Sequence, residues 1–306
     1  MSVLAIIAAL VIEQWRPLGE RQGVQAALAA WALWLERSFN GGERQHGVTA
    51  WLVGILPPVA AALVLHVLLS AAGWPFALIF DIAVLYLTLG FRQFSHYFTD
   101  IHVAIKAGDV DRARALLEEW RGASGVVRTR EEVVRLSIEE ALVAAHRHVF
   151  GVLLWYLILP GPSGAILYRL AAHLAARWRP MGAFGDFAGR AFHLLEWPAV
   201  RLTAAVFALV GDFENTVYCW RTQARTWPDP DAGVLLAAGA GAMGVKLGMP
   251  VQEVDGVQPR PELGVGEEAD GPFLDTTVGM LWRALVLWVA VLAGAALVAH
   301  GSRLWA

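Results

Sequence analysis

Residues 50–72 read AWLVGILPPVAAALVLHVLLSAA, a stretch without one Asp, Glu, Lys or Arg. A helix needs roughly 20 apolar residues to cross a bilayer, and this run is long enough. Inside lipid every backbone N–H and C=O must be satisfied within the protein, so a helix is the only form such a run can take there. A second run of similar character covers Leu281–Ala299. Pro75–Leu89 is shorter and holds Asp81, but only Gly73-Trp74 separates it from the first run, which reads as a helical hairpin. A fourth apolar segment, Val149–Leu159, stops at PGPSGAILYR, residues 160–169. The run Val3–Ile12 is too short to cross alone. No Lys or Arg precedes it and no small-residue cleavage site follows, so it reads as an oblique or interfacial helix, not a signal peptide. Composition agrees: 57% of residues are hydrophobic and 17% charged, against about 45–50% and 25% in soluble domains. The expected class is an all-α, polytopic helical membrane protein with cytoplasmic helical segments.

The basic residues set the expected orientation. The turns at Gly73-Trp74 and Gly161–Gly164 carry no Lys or Arg, whereas residues 13–47 hold Arg16, Arg21, Arg37 and Arg44. Residues 92–140 hold Arg92, Lys106, Arg112, Arg114, Arg121, Arg128, Arg130 and Arg135. The positive-inside bias then places 92–140 and the polar stretch 212–278 in the cytoplasm, with Gly73 and Ser163 outside. A return crossing is required somewhere in 164–211. The expected location is a bacterial inner (plasma) membrane, multi-pass, with residues 1–306 forming a single membrane domain. The partner this implies is the lipid bilayer, with a homo-oligomer as a further option. A net charge of −3 gives no reason to expect nucleic acid. The single cysteine, Cys219, excludes an internal disulfide and a Cys-rich metal site, and reads as a small buried apolar residue.

Between the apolar runs the pattern is helical. Asp109 after Gly108 is placed to N-cap VDRARALLEEW. Thr129 with Glu132 has capping-box spacing and opens a helix that continues through VVRLSIEEALVAAHRHV into the membrane. No strand-like alternation of any length occurs, and 250–275, rich in Pro, Gly and acid, reads as a loop. The prolines at 160 and 162 remove backbone donors, so the break belongs at the membrane surface or inside protein. For Arg169 just beyond it two readings remain. Either it snorkels to the headgroups, or residues 164–178 fold back into the bundle and Arg169 meets an acidic partner, Glu196 or Asp212.

Five segments then fall in a recognisable order. They are PGPSGAILYRLAAHL (160–174), FGDFAGRAFHLLEWPAVRLTA (184–204), GDFENTVYCWRTQA (211–224), PDPDAGVLLAAGAGAMGVKLG (228–248) and RPELG (260–264). Together they resemble the CobD/CbiB family of integral membrane proteins, whose pattern runs PGALAYR, W-x-PARLTA, GD…W and PNAG…GVRLGG. Upstream, His96, Gly108, Asp109 and Arg114 fall on matching positions. The resemblance implies an ATP-dependent amide ligation that makes adenosylcobinamide phosphate, with ATP and Mg²⁺ as cofactors if that reading holds. Several acids of the pattern are absent. Before the fourth span the synthases resemble E-S-x-A-E-N-x-S-D-G, whereas this chain has EEALVAAHRHV, keeping Glu140. Phe192-His193 replaces paired acids, Asp231 stands for the Asn of PNAG, and Leu236 stands for a Glu. The opening LVIEQWRPLGERQGVQAALAAWALWLER resembles AmpE-like proteins of the same scaffold, which are linked to β-lactamase induction. The expectation is therefore an AmpE-like modulator of signalling linked to cell-wall stress and β-lactamase regulation, unable to replace the synthase, the alternative being a cobalamin-pathway ligase with an altered site.

The candidate ligand-binding residues are His96, Glu140, Arg169, Glu196, Arg201, Asp212 and Asp231; no metal cluster and no catalytic residue is assigned. His96 and His102 are six apart and share no helix face, so they make a poor metal pair. His146 and His148 read as interfacial residues at a span's cytoplasmic end. Glu196, Arg201, Asp212 and Arg169 are candidates for one polar cluster, while Asp229, Asp231 and Glu214-Asn215 read singly as solvated loop residues. AAGAGAMG (237–244) lacks the strand and the Lys-Ser/Thr of a phosphate loop and reads as small residues allowing close helix packing.

Overall fold

A computed structural model describes residues 2–15, 22–122, 129–253 and 256–304. In chain order the helices begin with α1 (Ser2–Trp15), α2 (Gln22–Phe39), α3 (Arg44–Ala72) and α4 (Trp74–Thr88). Next come α5 (Phe91–Lys106), α6 (Val110–Arg121) and α7 (Arg130–Ala145), which passes through a π-helical turn (His146–Phe150) into α8 (Gly151–Ile158). Then follow α9 (Ser163–Trp178), a 3₁₀ turn (Arg179–Phe184), α10 (Asp186–Val210), α11 (Phe213–Gln223) and α12 (Pro230–Met243). Five short strands, β1 (Val245–Gly248), β2 (Val251–Glu253), β3 (Gly256–Gln258), β4 (Glu262–Leu263) and β5 (Glu267–Glu268), precede α13 (Pro272–Leu304). The all-α membrane class is what the chain adopts. Among the described residues, four helical stretches are long and apolar enough to cross a membrane: Arg44–Ala72, Arg130–Ile158, Asp186–Val210 and Pro272–Val291. The third falls within 164–211, where the charge pattern calls for a return crossing. Arg16 and Arg21 of the AmpE-like opening, and Arg128, lie outside the described residues.

Local chemistry accounts for the helix starts. The Asp109 carboxylate accepts from Arg112 N, and Thr129 Oγ1 accepts from Glu132 N, as the spacing predicts. Asp212 and Asp229 cap α11 and α12 in the same way, so neither is a bare loop acid. The strands correct the reading of 250–275 as loop. β1 pairs antiparallel with β4 and parallel with β5, and β2 pairs antiparallel with β3. Segments of two to four residues are too short to show alternation, which is why the sequence pattern missed them.

The chain divides into two compact units. The first comprises residues 1–90 and 147–199, and its core joins Ala32 and Leu35 of α2, Ala50 and Ile55 of α3, and Leu170, Leu174 and Trp178 of α9. Trp178 is fully buried, and its indole N–H donates to Glu36 at 3.0 Å while Arg177 pairs with the same carboxylate, tying α2 to α9. Helix α9 packs on α3, α4 and α8, so the chain after the Pro-Gly-Pro break returns into this bundle. The second unit comprises 91–146 and 200–306. Within it α12 packs tightly on α11, because a Cβ on Gly241 would stand 2.5 Å from the Asn215 carbonyl. The small-residue stretch thus does the packing expected of it.

Candidate functional site

In the first unit the π-helical turn places Arg147 and His148 among groups from α9 and α10. Extra backbone per turn of this kind recurs at functional sites because it re-aims side chains that a regular helix would point elsewhere. Glu196, 3% exposed, accepts from the Tyr168 hydroxyl on one oxygen and from Arg147 Nε, 3.4 Å away, on the other. Arg169 Nη1 lies 2.9 Å from His148 Nδ1. A guanidinium has no lone pair to offer, so Nδ1 accepts, and the proton of a neutral His148 sits on Nε2. Two glycines make room for this arrangement. A Cβ on Gly151 would overlap the Tyr168 ring, and one on Gly90 would stand 2.6 Å from His148 Nδ1. The Arg147 side chain remains 40% exposed and lies over the Phe192 ring.

A second buried network in this unit joins three helices. Asp81 of α4 meets His66 Nδ1 of α3 at 2.8 Å and accepts from the Tyr156 hydroxyl of α8 at 3.0 Å.

In the second unit Glu139, not the neighbouring Glu140, is buried. Arg260 Nη1 donates to Glu139 at 2.8 Å, and Gly248 N donates to the same carboxylate at 2.8 Å. Arg260 also donates to the carbonyls of Gly248 and Met249 and lies over the Trp227 ring. This latch fixes the strand segment to α7 and uses the arginine of RPELG. Met249, where the family pattern ends in glycine, takes a φ of 66°.

The other candidates are dispersed. Glu140 pairs with Arg121 at 3.2 Å, and His96 is exposed on α5. Arg201 faces Asp231, 5% exposed, at 3.7 Å, which replaces the solvated-loop reading of that acid. Asp212 caps α11 through Asn215. Of the four residues expected in one cluster, Arg169 and Glu196 belong to the first unit and Arg201 and Asp212 to the second. His146 is fully buried, with its Nδ1 3.0 Å from Thr203 Oγ1, so its side chain does not reach headgroups as expected. Sequence reasoning missed Arg147, Tyr168, Glu139 and Arg260 as site residues. The usable signals were the YR pair at 168–169 and the arginine of RPELG. Among the described residues no three His, Cys, Asp or Glu side chains gather as a metal cage.

The family model for CobD/Cbib protein matches residues 6–272. This chain belongs to the CobD/Cbib family. It is 35% identical over 301 residues to the cobalamin biosynthesis protein CobD of Stutzerimonas stutzeri, covering 95% of this chain and 97% of that one. The CobD of Chromobacterium violaceum is 35% identical across 81% of this chain, and that of Mycobacterium tuberculosis 30% across 81%. No solved structure matches. These relatives overturn the signalling reading: proteins alike over nearly the whole length are named for cobalamin biosynthesis, not for β-lactamase regulation.

Proposed function

We propose that this chain is an adenosylcobinamide-phosphate synthase: an ATP-dependent ligase that joins an aminoalkyl phosphate to a corrinoid carboxylate, working in a bacterial inner membrane as a multi-pass protein. The observation that carries the reading is the 35% identity to a cobalamin biosynthesis protein CobD over 95% of the chain. Nothing in this reading depends on the AmpE-like character of the opening segment.

The ligation develops charge on a transferring phosphoryl group and must hold phosphates against it, so it needs arginines and carboxylates in partly buried sites. Both units supply such sets. In the first, Arg147, Arg169 and Glu196 stand together with Tyr168 and His148. In the second, Asp231, with Arg201 beside it, would be the carboxylate to hold Mg²⁺. That ion keeps several waters and takes one or two protein carboxylates along with substrate phosphates, so it requires no cage. When bound, Mg²⁺ would neutralise nucleotide phosphate charge. The role of this chain's own residues is to hold Asp231 at the first turn of α12, where the Asp229 cap fixes the backbone. His96, Glu140 and Asp212 stay as weaker ligand candidates, each placed at a surface or a cap.

Complementation tests the function. Expressed in a host lacking its own synthase, the chain is expected to restore cobalamin-dependent growth, and Asp231→Ala is expected to abolish that rescue. A folded, membrane-inserted chain that gives no growth would refute the reading.

A further inference from the structure

The polar cluster of the first unit is a donor set. A neutral His148 carries its proton on Nε2, because Nδ1 accepts from Arg169. Arg169 and Arg147 bring two permanent positive charges: Arg169 follows Tyr168 in α9, and Arg147 donates to the Glu196 that the Tyr168 hydroxyl engages. The carboxylate within this cluster, Glu196, has one oxygen engaged by Tyr168 and the other by Arg147 Nε. Its effect is to orient Arg147, whose side chain is 40% exposed. Two guanidinium groups and an imidazole thus stand with the buried Glu196 and Tyr168 in one cluster. Charges placed on apolar helices are costly unless they serve a ligand or a partner. Gly90 and Gly151 keep the space that His148 and Tyr168 need, so the arrangement is built into the backbone.

We propose that Arg147, His148 and Arg169 form a subsite for a phosphate monoester, the group carried by a small soluble aminoalkyl phosphate. Planar guanidinium forks match phosphate oxygens bidentately, and an imidazole N–H adds a third donor. This assignment rests on the synthase reading for its substrate, but not for its chemistry: a phospholipid headgroup presents similar oxygens, and the test separates the two sources.

The probe is O-phosphoethanolamine, titrated calorimetrically into the full chain in detergent and in nanodiscs of zwitterionic lipid. The expected result is saturable binding, weakened about tenfold by Arg147→Gln and by Arg169→Gln. Arg169→Lys should keep part of the affinity, and Arg179→Leu, at an exposed position, should leave it unchanged. Thermal unfolding of each variant identifies misfolded ones, and Arg169→Lys keeps the test valid if Arg169→Gln does not fold. Wild-type affinity in both glutamine variants overturns the proposal. So does a chain that binds no soluble ester yet retains anionic phospholipid through these arginines, which would make the site a headgroup site. Growth rescue with unaltered ester binding in the variants would sink the subsite and spare the synthase. Ester binding without any rescue would do the opposite.

Discussion

At the scale of single residues, the decisive fact is which side chain a charge meets. Glu36 is held below the ordinary glutamate range, chiefly because Arg177 donates to it, with the Trp178 indole adding a second donor. A carboxylate whose folded pKa is depressed contributes stability above its unfolded value and loses it as the pH falls through the folded one. Detergent-solubilised protein should therefore begin to lose melting temperature as the pH drops below about 4.5, the ordinary value. Glu36→Gln should start lower and show a flatter profile over that range. Equal slopes for the two proteins would show that the Arg177 contact carries no stability. The candidate site was only partly legible at this scale. Arg169 and Glu196 could be singled out because ionisable groups on apolar helices are conspicuous. The choice of Glu140 over Glu139 failed because adjacent acids look alike until their partners are known. The partner of Glu139 is 121 positions away in sequence.

At the scale of elements, local signals succeeded and distant ones did not. The hairpin of α3 and α4, the cap at Asp109 and the capping box at Thr129 are contained within a few residues, and all appear as the pattern predicted. Helix α10 was read only as a required return, because Glu196 and Arg201 interrupt its hydropathy and their partners are on other elements. The π-helical turn left no signal at all. The His66–Asp81–Tyr156 network shows what such buried polar contacts do for packing: it joins α3, α4 and α8 through one carboxylate. Interhelical hydrogen bonds in lipid contribute about 1 kcal/mol each. Asp81→Leu removes two of them and should therefore destabilise by roughly 2 kcal/mol. His66→Leu should do so by less, and the double variant should fall short of their sum, because the removed groups share one contact. Strict additivity in a thermal or denaturant series would show that the residues do not act together.

For the whole molecule, the open question is which segments share a side of the membrane. One compact unit contains both 91–146 and 200–306, and therefore both segments whose charge pattern points to the cytoplasm, 92–140 and 212–278. The arginine-free turns near Gly73 and Ser163 both fall in the other unit. The weak step is α4. Its 15 residues extend about 22 Å at 1.5 Å per residue, short of the roughly 30 Å hydrocarbon core, so crossing needs local thinning of the bilayer. If α4 does not cross, the segment from 92 to 140 lies on the same side as Gly73. Cysteine scanning decides between these. Cys219 is buried and its thiol is pushed up by that burial, so its own labelling should be slow, and Cys219→Ala removes it altogether. In that background Trp74→Cys, at an exposed turn, should react with an impermeant maleimide in intact bacterial cells. Asp111→Cys, whose native side chain is 90% exposed, and Glu267→Cys should react only after permeabilisation. Labelling of Trp74→Cys and Asp111→Cys together in intact cells would mean that α4 turns back within the membrane, and would remove the charge-based orientation at its first step.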